Sequence, residues 1–61
     1  MTIKYRAIYE TSQGHMGTYE SEVDAVPWIT SPEKSRLVRH IAEMQGFYKI
    51  VSVEIIETIN S

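Results

Sequence analysis

The chain has 61 residues, no cysteine and a formal net charge of −2. A domain of this length holds one core and buries only about 60% of its unfolded surface. Disulfides and thiolate zinc sites are excluded, so the fold rests on packing alone or on packing plus a partner. The basic excess that accompanies non-specific nucleic-acid binding is missing. No apolar run approaches the ~20 residues of a membrane span. From Met1 to Arg6, apolar Met1, Ile3 and Tyr5 alternate with Thr2 and the basic Lys4 and Arg6, which offers no h-region of a secretory leader. The expectation is one cytoplasmic α+β domain, residues 1–61.

Ile3, Tyr5, Ala7 and Tyr9 alternate with Lys4, Arg6, Ile8 and Glu10. A period of two in β-favouring residues predicts a half-buried strand over 3–10. The polar stretch that follows contains Gly14 and Gly17, read as positive-φ positions of a hairpin loop. Alternation resumes over 17–23, with Tyr19, Ser21 and Val23 opposite Thr18, Glu20 and Glu22. So polar a strand suits a sheet edge. In the connector, Pro27 biases Val26 toward an extended conformation. Trp28 and Ile29 are expected to fold back on the core.

A helix is predicted over 31–45. Thr30 as N-cap places Glu33 at N3 and completes a capping box, whereas Ser31 as N-cap places Pro32 at N1. Leu37, Val38, Ile41, Ala42 and Met44 recur as an apolar stripe. Gly46 reads as the C′ residue, with Phe47 packing back on Ile41 or Ala42. The last strand is predicted over 47–58. Phe47, Val51, Val53 and Ile55 fall on one face, and Tyr48, Ile50, Ser52, Glu54 and Ile56 on the other.

This order of elements predicts a ββαβ fold, a three-stranded sheet of order 2-1-3 with the helix on one face. The order 1-2-3 would bury the polar second strand in the middle. The crossover through the helix should be right-handed. The covered face should carry Ile3, Tyr5, Ala7, Tyr9, Tyr19, Val23, Val51, Val53 and Ile55, closed by Leu37, Val38, Ile41 and Met44. The open face then holds Ile8, Tyr48, Ile50 and Ile56 without a partner. Burying each such side chain is worth ~1.5–3 kcal/mol, and exposed apolar patches often mark interaction surfaces. The last strand, at an edge, could also add a strand from a second copy or a partner.

Residues suited to chemistry are sparse. His15 lies in the hairpin loop, and His40 lies three residues before Glu43 on the helix. A tight metal site needs three or four ligands, so no metal is expected. Glu20 with Glu22, and Glu54 with Glu57, are paired carboxylates. Acid–base work needs a cleft that separates their pKa values, and a one-helix domain has little room for one. No serine lies in a nucleophile elbow, and Gly14 to Gly17 lacks the spacing of a phosphate loop. No enzymatic activity and no cofactor are expected. Lys34, Arg36, Arg39 and His40 form a basic helix face that could meet nucleic acid or an acidic protein surface.

The layout also carries a resemblance. A short hairpin precedes a helix capped by Thr30-Ser31-Pro32-Glu33, and Gly46-Phe47 opens a final strand of β-branched residues. This resembles very small phage-encoded proteins that bind and redirect a host protein, phage inhibitors of host RNA polymerase of the T7 type among them. The resemblance implies a phage or prophage accessory protein acting by stoichiometric contact, and it assigns no binding residue.

The leading expectation is therefore a non-enzymatic protein-binding module that inhibits or modulates a host protein. Its candidate contact residues are Ile8, Tyr48, Ile50 and Ile56, with Arg36 and Arg39. One alternative is a nucleic-acid-binding regulatory protein using the basic helix face. The other is a homodimeric structural protein.

Overall fold

The computed structural model describes residues 1–60. Its elements are β1 (Thr2–Glu10), β2 (Met16–Asp24), α1 (Ser31–Glu43) and β3 (Lys49–Ile59). The strands form one sheet of order β2-β1-β3, and both neighbours run antiparallel to β1. The polar strand and the last strand thus occupy the two edges. Strand length sets the shape: the eleven residues of β3 at ~3.3 Å each account for most of the length of a body 39 Å long and 15 Å across in the other two directions.

The hairpin closes at the pair Glu10–Met16. Within the loop, Thr11 Oγ1 accepts from the backbone N–H groups of Gln13 and His15. Gly14 has φ of 82°, which an L side chain rarely adopts. Gly17 does not share this role. It lies in β2 opposite Tyr9, and its missing side chain makes room for the Tyr9 ring. At the other end the ladder continues past Thr2–Asp24. Ala25 donates to the Met1 carbonyl at 2.8 Å, and the Met1 ammonium donates to the Ala25 carbonyl at 3.0 Å.

Between β2 and α1 the chain makes a turn in which the Ile29 N–H donates to the Val26 carbonyl. Pro27 supplies the fixed φ that such a turn favours at its second position. Trp28, next along, stands at the tip and is 78% exposed. It does not fold back on the core, whereas Ile29 is half-buried.

The helix starts in the Thr30 register. The Glu33 N–H donates to Thr30 Oγ1, and the Thr30 N–H donates to Glu33 Oε2, both at 3.4 Å. Pro32 therefore falls at N2. Val38 and Ala42 are buried, with Leu37 and Ile41 half-buried beside them. The helix ends two residues earlier than its spacing suggests. Met44 is the C-cap and points largely into solvent. Gly46, at φ 90°, then redirects the chain.

α1 lies over β3 and β1. The β2 side of the same face is filled by aromatic rings. Tyr19 packs edge-on to Tyr5, with centroids 6.0 Å apart, and tilts against Phe47 at 5.1 Å. Phe47 stacks on Tyr9 at 4.1 Å and 16°. Phe47 lies in the connector before β3, not within the strand, and this frees its ring to cover the sheet.

The face assignment of β3 is where the sequence pattern misleads. Tyr5 pairs with Ile55 but Lys4 with Glu57, and Ile8 pairs with Ser52 but Tyr9 with Ile50. Each skip is a β-bulge that leaves an extra residue, Ile56 and Val51 respectively. Each bulge shifts the strand by one residue and so exchanges its faces. Ile50 therefore joins Ile3, Tyr5, Ala7, Val38 and Ala42 in the core, at 7% exposed. Val51, expected under the helix, is 43% exposed.

Candidate protein-interaction surface

The uncovered sheet face is a ladder of charges. In β1, Lys4 stands between Glu22 of β2 and Glu57 of β3, and Arg6 stands between Glu20 and Glu54. The Arg6 Nε and Nη2 both donate to Glu20 Oε2, at 3.2 and 3.0 Å, and Lys4 Nζ lies 4.0 Å from Glu57. Exposed pairs of this kind are worth ~0–1 kcal/mol each. Their consequence is that a cation in the centre neutralises acids on both edges, so the face is at ease in water.

The apolar set expected there is dispersed. Ile50 is in the core. Ile8 does lie on the open face, half-buried between Thr18 and Ser52. Tyr48 precedes β3 and is 72% exposed in the connector. Ile56 is the unpaired residue of the second bulge and is 42% exposed. The open face is therefore not an apolar docking surface.

Exposure concentrates instead along β3 and at the connectors. β3 is the longest strand and has β1 on one side only among the described residues. Its outer backbone groups are thus available to another strand. Val51 and Ile56 flank that edge, and Ile59 at its end is exposed as well. Within β3, the doublets Ile50-Val51 and Ile55-Ile56 are the places where apolar residues stand side by side, and each coincides with a bulge. That stutter is the signal in the sequence that would have located them.

Elsewhere the surface holds little chemistry. Arg36 is exposed, and Arg39 donates through Nε to Glu43 at 3.1 Å, which ties up one cation of the basic helix face. Among the described residues there is no cluster of three or more metal-ligating side chains and no pocket, and no charged side chain is buried. No helix is long and apolar enough to cross a membrane. The hydroxyls of Tyr5 and Tyr19 are buried without a hydrogen-bond partner. Burial pushes the Tyr19 phenol up to about 12, and the Tyr5 hydroxyl adds to the push without reaching hydrogen-bond geometry.

Of the exposed large apolar side chains, Met16, Val26, Trp28, Met44, Val51 and Ile59 are not singled out by the sequence as surface residues. Pro27 before Trp28 is a turn signal that places an aromatic at the tip. Comparison with known proteins finds no matching family model, no matching curated protein and no matching solved structure.

Proposed function

We propose that this chain is a non-enzymatic protein-binding module that takes its partner by strand addition along the outer edge of β3. The observation that carries the reading is the position of β3. The longest strand lies at the sheet edge, with exposed Val51 and Ile56 beside its free backbone groups. Strand addition draws affinity from main-chain hydrogen bonds and selectivity from alternate side chains. The other edge is less adhesive, because β2 carries Glu20, Glu22 and Asp24 and charged edges are a common guard against strand pairing. The resemblance of the element order to small phage proteins that redirect a host protein favours a binder acting by contact, on a cytoplasmic partner.

The test is affinity capture with the wild-type chain and with Val51→Lys combined with Ile56→Lys. Both positions are exposed, so circular dichroism should report an intact fold. The reading predicts that the double variant loses the species that associates with the wild type, whether a foreign protein or a second copy. Equal recovery by both proteins would contradict it.

A further inference from the structure

The outer edge of β3 is complementary to itself. Resting on the reading of that edge as a docking surface, we propose that its occupant is a second copy of the chain, paired antiparallel and centred on Val53. In that register Val53 faces its own counterpart, Ser52 faces Glu54, Val51 faces Ile55, Ile50 faces Ile56 and Lys49 faces Glu57. Every apolar residue from Lys49 to Glu57 meets an apolar residue, and the end positions pair opposite charges.

The faces of the polar pairs agree as well. Lys49, Ser52, Glu54 and Glu57 pair with Glu10, Ile8, Arg6 and Lys4 of β1, so all four lie on the open face. Val53 pairs with Ala7 and lies on the helix face. Side chains directly opposite each other in a ladder share a face, and the proposed pairs Lys49–Glu57 and Ser52–Glu54 satisfy that rule. Without the bulges Lys49 and Glu57 would each stand on the other side.

The bulges also select the occupant. They bend β3 near Val51 and near Ile56, and a straight foreign strand would follow neither bend. A second β3 brings the same two bends in reverse order, one on each side of Val53. Neighbouring registers fail on charge or polarity. Centring on Glu54 sets that carboxylate against itself, and centring on Ser52 sets Ile50 against Glu54. Like charges directly opposite are destabilising. Self-pairing of β2 is disfavoured by its acids Glu20, Glu22 and Asp24.

Sedimentation equilibrium over a dilution series tests the proposal, with circular dichroism confirming the fold of each variant. The wild type should move from monomer to dimer as concentration rises. Lys49→Glu alone, and Glu57→Lys alone, should each weaken the dimer about tenfold, since each sets two like-charge contacts into a twofold interface. The combined Lys49→Glu/Glu57→Lys protein should recover near wild-type dimerisation. Within one chain the double exchange sets a carboxylate opposite Glu10 and an ammonium beside Lys4, so recovery can come only from contact between copies. A wild type that stays monomeric throughout overturns self-pairing, while loss of a foreign partner in Val51→Lys/Ile56→Lys would still uphold the edge reading. A dimer that the double exchange fails to restore overturns the register.

Discussion

The ring of Tyr9 lies against the backbone of Gly17 on the neighbouring strand, where an added Cβ would stand 2.5 Å from its Cζ. Phe47 stacks on Tyr9 and limits its escape. Gly17→Ala should therefore push Tyr9 off Phe47 and cost about 1–2 kcal/mol, as overpacking does. Chemical denaturation would show it. Tyr9→Ala combined with Gly17→Ala should cost less than the sum of the two, because the clash disappears with the ring.

The bulge at Val51 makes adjacent apolar residues unequal. Ile50→Ala should cost about 2–4 kcal/mol, as for other buried Ile truncations. Val51→Ala should stay within about 0.5 kcal/mol, the usual range for a surface change. Equal losses at the two positions, measured by denaturation, would contradict the register given for β3.

The helix entry rests on Thr30. Thr30→Ala removes the acceptor for the Glu33 N–H and should cost about 1 kcal/mol. Thr30→Ser keeps that acceptor and should be nearly neutral. Melting curves of the two variants suffice to compare them.

Tyr19 gives the fold a dependence on alkaline pH. Its phenol is raised from the ordinary 10.0 to about 12 in the folded chain. The unfolded chain therefore loses this proton first as pH rises. Stability is fully present below pH 10 and declines as pH climbs from about 10 to about 12. Tyr19→Phe should flatten that part of the decline. An unchanged slope in denaturation experiments across this window would contradict the assignment.

Much of the fold is legible in the sequence because local signals agree with one another. Alternation marks β1 and β2, the Thr30 to Glu33 box marks the helix start, and the acidic character of β2 forecasts its place at an edge. The candidate site is less legible. Alternation assigns faces only while the ladder is regular, and the bulges at Val51 and Ile56 exchange them. That is why the pattern puts Ile50 on the surface although it lies in the core, and why Val51 does the reverse. Trp28 is misplaced for a different reason. Its bulk suggests burial, but the turn beginning at Val26 carries it outward.

Amide hydrogen exchange in dilute and concentrated solution tests most directly whether two copies of this protein pair through the outer edge of β3. Alternate amides between Lys49 and Glu57 should exchange more slowly at high concentration, while the outer amides of β2 do not change. Identical exchange along β3 at both concentrations, or slowing confined to β2, would contradict that assignment.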